Sequence, residues 1–158
     1  MSTHKDKLNW CLANEKRMKE IQPNIQLSEE HLMKAKHNLK AADYNIKGGF
    51  SDWGVSQAYY VMYHSLLAIL FKTGYESKNH ECTINTVEHL IEEGRIELDL
   101  KDIAFIRTTE QMTSKDAKSL REEFQYGTKT TVNEELLDEL LKNAKLVVEN
   151  IELALNEL

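Results

Sequence analysis

The residues best placed to do chemistry in this chain of 158 residues are Arg121-Glu122-Glu123-Phe124-Gln125-Tyr126, late in a long helical stretch. An arginine is followed five residues later by a tyrosine. The arginine's planar fork makes two hydrogen bonds at once, which suits a phosphate or a carboxylate across an interface. On a scissile phosphate it would stabilise developing negative charge. Beside the apolar stripe Ala117, Leu120 and Phe124 it is expected at the edge of a packed face. Tyr126 would have to move the proton, and a phenol titrating near pKa about 10 is a poor base at neutral pH. A histidine would suit that role better.

A second constellation lies on an earlier helix: Trp53, Tyr59, Tyr60, Tyr63 and His64. Ser56, Tyr60, Tyr63 and His64 fall on adjacent turns of one face. Two readings are open. One is a core face whose hydroxyls find partners inside a bundle. The other is a polar groove that orders Arg121 and receives a nucleotide or an RNA strand, with His80 and Gln125 as further candidate binding residues.

Metal chemistry finds little support. A di-iron bundle needs Glu-x-x-His on a helix face, yet Ser28, Lys34, Val61, Ser77 and Thr86 precede the helical histidines by three. His80-Glu81 opens like a zinc-protease motif, but position 84 is Ile. No metal and no cofactor are expected. Cys82 follows His80 by two residues near a helix start, where a thiol pKa can fall, but no orienting partner is visible. It reads as a buried structural cysteine. Lys47-Gly48-Gly49 stops a helix and is no phosphate loop.

The elements that must position these residues are helical throughout, because long segments show helical periodicity and none shows sustained period-two alternation. A first helix is expected over 5–21, ended by Pro23 and Asn24. Ser28 is a good N-cap for the second, with Leu27 and Leu32 as a staple. That helix stops at Gly48-Gly49. Ser51 or Asp52 caps an apolar third helix, which Gly74 ends in a left-handed turn. Asn79 caps the fourth and Gly94 closes it. A fifth runs over about 99–126, with a polar middle from Arg107 to Asp116. Asn133 caps the last, whose Leu137, Leu141, Ala144, Val148, Ile151, Leu155 and Leu158 repeat at 4-3-4-3-4-3. Such a seam must lie along another helix, within the bundle or between two chains. The expected fold is all-α, an up-and-down bundle of four to five helices. One domain is expected over 1–158, with an N-terminal helical extension at 1–24 and the bundle at 28–158.

Composition narrows the partners. The net charge of −6 is uneven: +3 over residues 1–47 and −9 over 48–158. The basic third suits nucleic acid or an acidic partner, while the acidic remainder argues against broad, non-specific binding to duplex DNA. The longest nearly apolar run, Tyr59 to Phe71, is too short to span a bilayer. Two cysteines, Cys11 and Cys82, make no disulfide framework, which points to a reducing cytosol. The opening residues lack the apolar core of a signal peptide. A cytoplasmic protein without a membrane partner is expected.

These residues also carry a resemblance. Trp10-Cys11-Leu12, Lys16-Arg17 and Glu20-Ile21-Gln22-Pro23-Asn24 resemble the opening of an archaeal branch of HEPN (higher eukaryotes and prokaryotes nucleotide-binding) proteins. Trp53-x-x-Ser56-x-Ala58-Tyr59-Tyr60-x-Met62-Tyr63 is similar to that family's second core helix. Gly74-x-x-Ser77-Lys78-x-His80-x-Cys82-Thr83 is similar to the turn after that helix, and Arg121-x-x-x-Gln125-Tyr126 to its late-helix motif. The resemblance implies a bundle that dimerises through two central helices, a setting in host defence, RNA processing or toxin–antitoxin pairs, and binding to a minimal nucleotidyltransferase. Active members cut RNA without metal, using Arg-x4-6-His. Arg121 falls on that arginine, and Tyr126 stands where the histidine would be. The expectation is therefore a homodimeric module binding a nucleotide, RNA or a nucleotidyltransferase, leaning away from an enzyme. The alternative is a divergent metal-independent ribonuclease toxin using Arg121, with Tyr126, His64 or His80 moving the proton.

Overall fold

The computed structural model describes residues 3–107 and 134–158. Arg121, Gln125, Tyr126 and the expected continuation of the fifth helix lie outside the described residues. Six helices are described: α1 (His4–Leu12), α2 (Ile25–Lys47), α3 (Ser51–Thr73), α4 (His80–Glu92), α5 (Leu100–Arg107) and α6 (Glu134–Asn156). Two short strands, β1 (Met18–Glu20) and β2 (Tyr75–Ser77), pair antiparallel with Met18 opposite Ser77. The all-α bundle expected from periodicity is the architecture observed. No described helix is long and apolar enough to cross a membrane.

The centre is the antiparallel hairpin of α2 and α3. Gly54 lets the two helices close up, since a Cβ there would come within 2.8 Å of Ile46 Cγ1. Ala35, Ala42, Ala58 and Ala68 are fully buried. α3 is apolar on most sides and packs α6 and α4 as well as α2. The last helix lays Leu137, Ala144, Val148, Ile151 and Leu155 into the same core. Its heptad seam is thus used within the chain; Leu158 at its end stays exposed. Lys72 Nζ donates to the carbonyl of Leu155 at 2.6 Å and satisfies an orphan of α6's last turn.

Several local expectations change. The first helix ends at Leu12, nine residues early. The Asn14 side chain accepts from Lys16 N at 2.9 Å, and its carbonyl from Arg17 N and Met18 N. A side chain that satisfies its own backbone competes with helix. The Arg17 guanidinium then lies over the Trp10 ring at 3.7 Å and donates to the Trp10 carbonyl. The chain next enters β1, and a three-residue strand is too short to show a period. α2 starts at Ile25, because Asn24 caps it by accepting from Leu27 N at 3.0 Å. Ser28 is no cap: buried inside the helix, its hydroxyl donates across to the Ala68 carbonyl at 2.6 Å. Phe50, not Ser51 or Asp52, precedes α3, without a side-chain cap. Gly74 ends α3 at φ 102 and Asn79 caps α4, both as expected.

The cysteines require the largest correction. Cys11 and Cys82 form a disulfide that ties α1 to α4 across 71 residues of chain. Both are fully buried. Cys82 is structural, as expected, but bonded; two unbonded cysteines, the premise for a reducing compartment, are not found. Around the bridge, Lys7 pairs with Glu81 at 2.7 Å and Asn85 donates to the carbonyl of His4. Nothing in the period of either segment reveals that α1 runs beside α4.

Candidate functional site

The aromatic face of α3 is met by α4 on one side and by α2 on the other. α4 begins at His80 because Asn79 accepts from Cys82 N at 2.9 Å. That cap turns His80 back onto α3, where its ring stacks on Tyr63 with centroids 4.1 Å apart. His80 Nδ1 also lies 2.5 Å from the phenol oxygen of Tyr59, which is fully buried. Tyr59 and Tyr63 are themselves stacked at 6.2 Å.

A chain of hydroxyls leaves this stack. Tyr63 Oη is 3.2 Å from Thr83 Oγ1, Thr83 Oγ1 is 2.7 Å from Ser77 Oγ, and Ser77 donates to the Asn79 carbonyl at 3.0 Å. A carbonyl only accepts and each hydroxyl holds one proton. Thr83 also reaches the Asn79 carbonyl at 3.0 Å, so its one proton has acceptors besides the phenol, and the Tyr63 hydroxyl can donate to it. Burial pushes the Tyr63 pKa up, more than the hydrogen-bonded Thr83 hydroxyl can bring it down.

On the other side, α2 brings His31 against His64. Their Nδ1 atoms are 3.0 Å apart and their rings stack at 5.2 Å, with Phe71 stacked on the far face of His31 at 5.1 Å. A hydrogen bond between two such nitrogens needs one donor and one acceptor. Of two neutral rings, one carries its proton on Nδ1 and the other on Nε2. Burial lowers both pKa values. His64 falls to about 4, chiefly through burial, with the neighbouring His31 and Lys34 adding to the shift. At neutral pH the pair is uncharged.

Of the residues expected to form a site, the structure brings Tyr63 against His80, and Tyr60 within 6.4 Å of His64 between ring centroids. Ser56 is buried one turn before Tyr60. Arg121, Gln125 and Tyr126 fall outside the described residues. The reading of a core face holds for Tyr59 and Tyr63, whose hydroxyls have partners inside the bundle. Tyr60, His64 and His31 are half-buried. Thr83, Ser77 and His31 join the site beyond the residues expected to form it. Only spacing points to His31: Ser28, His31, Ala35, Asn38, Ala42 and Asn45 repeat at 3-4-3-4-3 along α2.

Among the described residues, no three His, Cys, Asp or Glu side chains gather as a metal site would require. The site is thus a row of six rings, His80, Tyr59, Tyr63, Tyr60, His64 and His31, edged by hydroxyls. The model of the HEPN domain matches residues 28–154, most of the chain. The chain belongs to the HEPN domain family. It is also 33% identical over 129 residues to a UPF0332 protein of Archaeoglobus fulgidus, covering 82% of this chain and 95% of that protein. In this HEPN chain the matched segment begins in the first turn of α2 and ends in the last turn of α6. The whole ring row lies inside it. α1, β1 and Cys11 precede it, so the disulfide ties a segment outside the match to α4 inside it.

Proposed function

We propose that this HEPN protein is a non-catalytic binding module that holds a nucleotide or single-stranded RNA against the rings of α3. The observation that carries the reading is the neutral pair His31–His64 beside half-exposed Tyr60. Neutral imidazoles and phenols stack on bases and exchange hydrogen bonds with their edges. The same rings are poor acid–base catalysts at pH 7. A histidine titrating at about 4 is almost never protonated there and is a weak base. Burial raises the Tyr63 pKa, so its phenol stays protonated. Arg121 would hold a phosphate of the same ligand.

The homodimer belongs to this proposal. Trp53, Gln57, Tyr60 and His64 recur at 4-3-4 along α3, and Trp53 is 55% exposed. A second copy seated there would cover the indole and set its own ring row against this one. A minimal nucleotidyltransferase is the protein partner suggested by the family, in a toxin–antitoxin type of pairing.

The divergent ribonuclease is the second reading, and one contact favours it. The Tyr59 phenol holds His80 at Nδ1, which would orient that ring as a proton carrier.

The deciding experiment is titration of labelled oligouridylate and of nucleoside triphosphates, wild type against Tyr60→Ala and Arg121→Ala. Loss of one stacked base weakens binding by about 1–3 kcal/mol. If neither variant changes the affinity of any of these ligands, the module does not bind through this face.

A further inference from the structure

Between α2 and α6 lies a cleft of about 510 Å³ lined by Leu39, Lys40, Asp43, Leu141, Lys142 and Lys145. Leu39 and Leu141 are partly buried, packed on the core below and open to the cleft above. The three lysines are exposed, and none has a carboxylate within ion-pairing distance among the described residues. Their neighbours on α2 do: Lys36 pairs with Glu152, and Lys47 with Asp43 at 2.8 Å. The one acidic residue of the cleft is thus already engaged. On a chain of net charge −6, three uncompensated lysines around two leucines make a local positive field.

We infer that the α2–α6 cleft is a docking groove for an acidic amphipathic helix of a protein partner. The two walls are helix ridges, and a third helix packs ridge-into-groove between them. Its leucine-type residues at i and i+4 meet Leu39 and Leu141. Glutamates or aspartates on its two flanks meet Lys40 on one wall and Lys142 and Lys145 on the other. The floor is aliphatic and has no aromatic ring, so it offers no stacking platform for nucleic-acid bases. A second cleft, between α6 and the start of α5, is lined by Glu97, Asp99, Asp102 and Glu157 around Leu98 and Leu153. An acidic helix is repelled there, so charge selects one cleft. This surface is separate from the ring row and stands whether or not that row binds a nucleotide.

The test uses the full chain and a labelled peptide of about 15 residues with leucine on one helical face and glutamate on the other. Controls are the same composition scrambled to abolish the face, and oligouridylate. The expected result is binding of the faced peptide alone, with methyl chemical-shift changes at Leu39 and Leu141. Lys40→Glu with Lys145→Glu, both on exposed side chains and checked by circular dichroism, should weaken it roughly tenfold. Equal binding of the scrambled peptide would reduce the groove to a charge effect and overturn the inference. So would unchanged affinity in the double variant, absence of shifts at the two leucines, or oligouridylate taking the lysines in place of the peptide.

Discussion

His31 Nδ1 and His64 Nδ1 lie 3.0 Å apart across the α2–α3 interface, close enough that the two rings must share one proton between them. Bringing a second proton there charges one ring in a half-buried site and sets two N–H donors against each other. The folded-state pKa of both rings is lowered, His64 to about 4, whereas in the unfolded chain both titrate near 6.5. The unfolded state therefore binds more protons in that window. The stabilisation is fully present above about pH 6.5 and is lost as the pH falls toward 4. After discounting for half exposure, the loss is on the order of 1–2 kcal/mol. Urea denaturation at pH 7.5 and pH 5 measures it. In His64→Gln the difference between the two pH values should shrink; an equal drop in the variant would show that other groups cause it.

The Cys11–Cys82 bridge closes a long loop and ties α1 to the start of α4. Removing such a cross-link costs about 2–4 kcal/mol. Cys11→Ala with Cys82→Ala should lose about that much stability and melt at a lower temperature. Because both cysteines are fully buried, the native protein should also resist alkylation unless unfolded and reduced. Mass spectrometry after iodoacetamide treatment, with and without reductant, checks both points. Two alkylated cysteines in the native, unreduced protein would mean that the bridge does not form.

Gly54 sets the closest approach of α2 and α3. Alanine there gains up to about 1 kcal/mol in helix propensity, but its Cβ would meet Ile46 Cγ1 at 2.8 Å. Cγ1 sits on a β-branched carbon with few alternative rotamers, so the helices must part. Overpacking of that kind costs about 1–3 kcal/mol. The net expectation is a loss of about 1 kcal/mol in Gly54→Ala, read from the denaturant midpoint. A gain in stability would show that Ile46 repacks freely.

Period and punctuation decide how much of this fold is legible in the sequence. The bundle is read from helical runs, and Gly74 and Asn79 mark their turns because a left-handed stop and a capping amide leave a local signature. Ser28 misleads because a serine hydroxyl serves equally as a cap or as a cross-helix donor, and only the position of Ala68 decides. The break after Leu12 depends on Asn14 capturing its own backbone and on Arg17 reaching back to Trp10, neither of which alters a period. The ring row is half visible. Tyr60, Tyr63 and His64 share a helix, so spacing reveals them. His31 and Thr83 join through helix packing, which spacing within one helix does not encode. The pairing of Cys11 with Cys82 is a tertiary fact of the same kind.

The last prediction concerns RNA cleavage. Metal-free hydrolysis needs a group that can hold and release a proton near neutral pH. His64 is pushed to about 4 and Tyr63 upward, so neither fills that role. His80 is left, oriented by Tyr59, together with Tyr126. The proposed binding module should leave RNA intact in the presence of chelator, both as wild type and as Arg121→Ala. Cleavage by the wild type that disappears in Arg121→Ala would establish the ribonuclease instead. His80→Gln and Tyr126→Phe would then separate the proton carriers: the variant that loses kcat, with RNA affinity kept, names the residue. Equal cleavage by wild type and Arg121→Ala would point to a contaminating nuclease, which a second purification should remove.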